Sequence, residues 1–227
     1  MFQASADWNP KQSLLKEIIL NKERFAETVR LLGQMHALVH SREVYGTLPH
    51  TYMDDIWDGL DDHSFRKMPT AKDVTVAWNI WHITRIEDLT VNILIKNDAQ
   101  VLDSGWLQRL GTRVKDTANA MTDDEIIRFS IDIDKESLYA YRNAVGVRTK
   151  QAIESLAFAD LKTKVSAERL ARIRAEGGVL DHEESIWLLD FWGRKTVAGI
   201  FLMPVARHQI VHLNDCVKLK AKCEKLR

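Results

Sequence analysis

The chain has 227 residues, 45% of them hydrophobic and 28% charged. Lysine plus arginine equals aspartate plus glutamate at 32 each, so no basic or acidic excess marks a surface for nucleic acid or an anionic membrane. That length and apolar share suit one globular domain, 1–227, with a sizeable core, and no apolar run is long enough to span a bilayer.

The opening stretch MFQASADWNP lacks the basic-then-apolar pattern of a secretory signal. Cys216 and Cys223 lie seven residues apart in a helical tail, two turns and too far for an intrachain disulfide. A cytoplasmic, reduced protein is expected. Four prolines and ten glycines are few for this length and favour long helices. No internal repeat, low-complexity segment or Gly/Ser-rich linker divides the chain.

Asn9-Pro10 predicts a helix start, with Asn as N-cap and Pro in the first turn. Leu14, Leu15, Ile18, Ile19, Phe25, Val29, Leu32 and Met35 follow at three- and four-residue spacings, which predicts one helix to about His40. His36 and His40 form an H-x3-H pair at its end, where histidine suits the helix dipole; a surface or helix-end pair is expected there rather than a ligand pair. Thr47–Met68 reads as a long connection containing Asp54, Asp55, Asp58, Asp61 and Asp62. A calcium loop beginning at Asp54 would have Ile56 third and Phe65 twelfth, where oxygen ligands are required, so a solvated acidic loop is expected.

A second helix is predicted from about Ala71 to Lys96, with Val74, Ala77, Trp78, Trp81, Ile86, Leu89, Ile93 and Leu94 on its apolar side and His82 among them. Residues 98–121 form another connection with a short helical piece near Gly105–Leu110. Thr122-Asp-Asp-Glu125 is a capping box opening a short helix. Asp134 caps the next, about Lys135–Leu156. Helix resumes at Ser166 and ends at Gly177-Gly178. Glu183–Trp192 is a short amphipathic segment stopped by Gly193. A last helix runs from about Thr196 towards Lys222, with Pro204 expected to kink or restart it. The basic tail KLKAKCEKLR suits a helix C-terminus. No period-2 run of useful length appears. The expected fold is all-α, a four-helix bundle with additional short helices in the connections.

Within the last helix, His208 and His212 stand four residues apart in MPVARHQIVHLND and so share one face. His82, in WNIWHITRIEDLTVN, supplies the third donor if the two helices meet. Three imidazoles leave a fourth position for water or substrate, the arrangement of a catalytic rather than a closed structural metal site. Imidazole suits Zn, Ni, Fe or Cu. The HExxH protease motif is absent, since Gln209 stands where its general-base Glu would be. Around the histidines, Trp78 and Trp81 are candidate pocket walls. Arg85 is a candidate to face an anionic substrate, with a salt bridge to Glu87, Asp88 or a neighbouring helix as the alternative. Asp215 is a candidate to orient an imidazole, with an ordinary surface role as the alternative. Cys216 shares the histidine face, but a small buried residue is the expectation.

WNIWHITRIEDLTVN resembles the second-helix signature of the DinB-like superfamily, W-x-x-x-H-I-x-R-x-E-D in many members, and PVARHQIVHLND resembles its last-helix H-x3-H. The resemblance covers most of the chain, although the segments 98–121 and 166–178 are longer than in the smallest relatives. It implies an up-down-down-up four-helix bundle binding a divalent metal, Zn or Ni by expectation, through His82, His208 and His212. Relatives include thiol-S-transferases and isomerases that use low-molecular-weight thiols, and metal-dependent hydrolases. The implied partner is a small molecule, with such a thiol as a candidate, and no nucleic acid and no membrane. A homodimer through an exposed helix face is a further expectation. A non-catalytic metal or small-molecule binder in the stress response is the alternative.

Overall fold

The computed structural model describes residues 3–226; Arg227, the end of the basic tail, lies outside them. Among the described residues the regular structure is helical, without a strand beyond the single bridge between Lys164 and Thr196. In chain order the α-helices are α1 (Asn9–Ile18), α2 (Phe25–Val39), α3 (Arg42–Tyr45), α4 (Tyr52–Trp57), α5 (Asp62–Arg66), α6 (Val76–Asp88), α7 (Ser104–Leu110), α8 (Asp123–Asp132), α9 (Lys135–Glu154), α10 (Ala167–Ala175), α11 (Glu183–Gly193), α12 (Val197–Ile200) and α13 (His208–Glu224). No helix among them is long and apolar enough to cross a membrane.

The centre of the molecule is α6. Of its residues only Trp78 is not fully buried. It packs on α13 and on α9, and α2 packs on α9. A helix surrounded on all sides must satisfy every polar side chain internally. Thr75 starts the helix by accepting from the Trp78 N–H at 2.9 Å, and its hydroxyl meets the Ser130 hydroxyl at 2.7 Å. Asp88 accepts from Arg85, Tyr141, Asn92 and the backbone of Val101 and Leu102. Thr122 with Glu125, and Asp134, cap α8 and α9 as their spacing predicts.

Four expectations need correction. The predicted first helix is two, because the backbone turns at residues 19–24 before α2 begins; Trp8 rather than Asn9 is the N-terminal boundary residue of α1. The acidic connection is not a solvated loop. Asp54 is buried and completes a capping box with Thr51, and Asp61 caps α5. The second helix starts at Val76 and widens into a π-helical segment at Leu89–Ile95, where the Thr90 hydroxyl donates to the Ile86 carbonyl at 2.7 Å and competes with the backbone ladder. The last helix is not continuous from Thr196: Pro204 sits in a further π-helical segment, Phe201–Arg207, that joins α12 to α13, which begins at His208. Proline has no N–H to give to the preceding turn, and the widened segment accommodates that loss immediately before His208.

Candidate metal centre

The first two turns of α13 carry His208 and His212, and the middle of α6 carries His82 against them. Ring centroids are 5.0 Å apart for His82 and His208, 4.8 Å for His82 and His212, and 4.5 Å for His208 and His212. One candidate donor atom from each ring lies within 4.8 Å of the other two. The Nε2 atoms of His82 and His208 stand 3.2 Å apart. Two imidazole nitrogens on one tetrahedral ion, each about 2.0–2.1 Å from it, would be about 3.3 Å apart.

Neighbouring groups fix which nitrogen faces inward. His82 Nδ1–H donates to the Thr117 carbonyl at 2.7 Å, which leaves its Nε2 lone pair towards the cluster. His212 Nδ1–H donates to Asn79 Oδ1 at 2.7 Å, and the Asn79 amide is held by donating to the Thr75 carbonyl at 3.1 Å. Trp78 stacks on the His82 ring at 4.7 Å and 7°. His208 Nδ1 is buried without a partner among the described residues. Burial lowers the His82 pKa to about 3, with His212 adding repulsion, and lowers that of His212 to about 4. Burial and both neighbouring histidines hold His208 well below its ordinary value. All three rings are therefore neutral at pH 7, the form that ligates a cation.

A cavity of about 370 Å³ opens on the cluster. Trp78 and Ile86 of α6, Asn119, and Met203 and Pro204 line it together with the three histidines. The remaining wall is one side of α11, with Trp187, Leu188, Phe191 and Trp192. Trp78 is thus at the cavity, as its place one turn before His82 suggests.

Arg85 and Asp215 are elsewhere. Arg85 is wholly buried and turned from the cavity: Nη1 donates to Asp88 at 2.9 Å and Tyr141 at 2.8 Å, and Nη2 to Gln100 and the Lys115 carbonyl, each at 2.7 Å. Asp215 accepts from Lys218 at 3.0 Å and is half-exposed on α13. The residues that orient His212 and His82 are Asn79 and the Thr117 backbone. Asn79 carried a signal, since it lies three residues before His82; a backbone carbonyl carries none. Trp81 is core, donating to the Asp116 carbonyl at 3.0 Å. Cys216 is a buried free thiol whose pKa burial pushes up. Gln209 is structural, its carboxamide joining Arg142 to the Ile83 carbonyl.

The other H-x3-H pair is not on the surface. His36 and His40 are 2% and 0% exposed, because α6 delivers Glu87 between them. His36 Nε2 meets Glu87 Oε1 at 2.8 Å and His40 Nε2 meets Oε2 at 3.0 Å. His36 Nδ1 meets the Tyr45 hydroxyl at 2.8 Å. These histidines and Glu87 also have the residue types of a metal site, but a closed hydrogen-bond network explains them better. The distances are those of N–H donated to a carboxylate. With Nε2 protonated, the unpartnered His40 Nδ1 is a bare acceptor; with a cation on Nε2 it would be a buried N–H without an acceptor, the costlier state. Arg142, fully buried nearby, already counters the Glu87 charge. Burial pushes the Glu87 carboxyl up, but the two histidines outweigh it and hold the pKa well below the usual range.

No curated relative matches the chain. The family model of the DinB superfamily matches residues 50–216, a span that includes α6, the first half of α13 and all three clustered histidines and exceeds half of the sequence. The chain belongs to the DinB superfamily.

Proposed function

We propose that the chain binds a divalent cation, Zn or Ni, through His82, His208 and His212 and acts there on a small molecule. The observation that carries this reading is the convergence of three neutral ring nitrogens, two with fixed tautomers, at the floor of a cavity. A bound cation would act as a Lewis acid and hold a thiol or water as its anion near neutral pH. The protein's own residues do the rest. Thr117 and Asn79 hold the Nδ1 protons so that the opposite nitrogens point inward. Trp78 fixes the plane of His82, and the aromatic wall from α11 excludes water.

Among the described residues the cavity lining holds no carboxylate, hydroxyl or amine side chain. Hydrolysis commonly draws on such a group as general acid or base. A thiol already ionised needs none, which favours thiol transfer to an electrophile over hydrolysis. The same observation supports the second reading, a metal or small-molecule binder without catalysis.

Metal analysis of purified protein, followed by assays of thiol loss against 1-chloro-2,4-dinitrobenzene with and without chelator, tests this. The expected result is turnover that chelation abolishes and Zn or Ni restores. Turnover indifferent to chelation contradicts the enzymatic reading. Metal bound with no turnover across a panel of thiols and esters supports the binder.

A further inference from the structure

We infer that the molecule this cavity accepts has an uncharged, ring-sized apolar body with a single donor atom at its inner end. The inference deepens the reading of the three-histidine site and rests on it for the donor end; the body is argued from the cavity alone. At about 370 Å³ the space lies at the small end of ligand pockets, roughly 300–1,000 Å³. Its walls are rings and aliphatic groups that offer flat contacts to an aromatic body.

What the wall has left to donate is uncharged, the Asn119 amide N–H and the Trp192 indole N–H. The Trp78 indole N–H donates to the Ala118 carbonyl and that of Trp187 to the Glu184 carbonyl, each at 3.0 Å. The Asn119 carboxamide oxygen accepts from the Thr117 hydroxyl at 2.7 Å. Arg85, the cation nearest in sequence to His82, is consumed by Asp88 and Tyr141 on another face of α6. Lys195 lies over the Phe191 ring at 4.3 Å but does not line the cavity. A carboxylate or phosphate on the ligand's body would be desolvated with no cation to meet it, which is strongly unfavourable. Thiols that carry carboxylates along their length are therefore disfavoured, and compact uncharged thiols or electrophiles are favoured.

The test uses metal-free full-length protein and two matched probes, 1-naphthalenemethanol and 1-naphthoate, followed by quenching of tryptophan fluorescence and checked by calorimetry. The neutral probe is expected to bind at least tenfold more tightly than the anion. Trp187→Ala should weaken the neutral probe severalfold, and Asn119→Lys should narrow or reverse the preference. Equal or tighter binding of the naphthoate by wild type overturns the inference, as does Trp187→Ala binding the neutral probe unchanged. Should either variant fail to fold, the wild-type comparison of the two probes still decides. A separate zinc titration of the same preparation keeps the two readings apart: loss of zinc binding would contradict the metal site without touching the probe preference, and the reverse holds equally.

Discussion

Glu87 is the most exacting residue to perturb, because both of its oxygens serve buried histidines and its charge answers a buried arginine. In Glu87→Gln one oxygen becomes an NH2 group. One histidine must then present a bare Nε2 and carry its proton on Nδ1. His36 can do so, since its Nδ1 faces the Tyr45 hydroxyl, which can accept. His40 cannot, since its Nδ1 has no partner among the described residues. The glutamine is expected to turn its oxygen to His40 and its nitrogen to His36, with every bond remade but neither assisted by charge. Losing that assistance and the counter-charge of Arg142 should cost about 2–4 kcal/mol. Glu87→Ala strands both donors and should cost more, about 3–5 kcal/mol or beyond. Urea unfolding of the metal-free protein, followed by tryptophan fluorescence, measures both. An m-value near wild type would assign the change to the folded state. Losses below about 0.5 kcal/mol for both variants, or glutamine costing more than alanine, would refute the network as drawn.

Gly146 gives His40 its room: a Cβ there would fall 2.6 Å from His40 Nδ1, whereas at Gly33 nothing lies within 4 Å. Gly146→Ala should destabilise by about 1–3 kcal/mol and Gly33→Ala should stabilise by about 0.5–1 kcal/mol, both read by urea midpoints; similar effects at the two sites would contradict the packing. Burial lowers the His40 pKa to about 3, so the unfolded chain takes up a proton that the fold refuses. The stability this contributes is complete above about pH 6.5 and is lost as pH falls from there towards 3, at up to about 1.4 kcal/mol per unit. Unfolding of metal-free protein at pH 7 and 5 checks this; a pH slope identical in His40→Gln would assign the acid sensitivity elsewhere. Asn79→Ala removes the acceptor that fixes the His212 tautomer and should lower zinc affinity about 10–100-fold in a competition titration; unchanged affinity would remove Asn79 from the site.

Local signals in the sequence were largely readable. The i, i+4 spacing of His208 and His212, the capping residues Thr122 and Asp134, and the all-helical patterning each depend on neighbours within a turn or two. Thr51-x-x-Asp54 was a signal of the same kind, hidden by the acidic run around it. What was not legible depends on distant partners. His36 and His40 look like a helix-end pair until Glu87, 51 and 47 positions away, is brought between them. For Arg85 the sequence left a substrate cation and a salt bridge both open; the bridge to Asp88 is the outcome, and its further partners Tyr141 and the Lys115 carbonyl come from distant segments. The π-helical segments Leu89–Ile95 and Phe201–Arg207 escaped because a helical stripe does not distinguish a widened turn from an ordinary one.

The central claim is that His82, His208 and His212 share one ion, and X-ray absorption at the zinc edge of zinc-loaded protein tests it most directly. The account predicts three imidazole nitrogens at about 2.0–2.1 Å and one further light atom, a spectrum that survives His36→Ala and is lost in His208→Ala. A spectrum of two imidazoles with a bidentate carboxylate, retained in His208→Ala and lost in His36→Ala, would contradict it and move the ion to the cluster around Glu87.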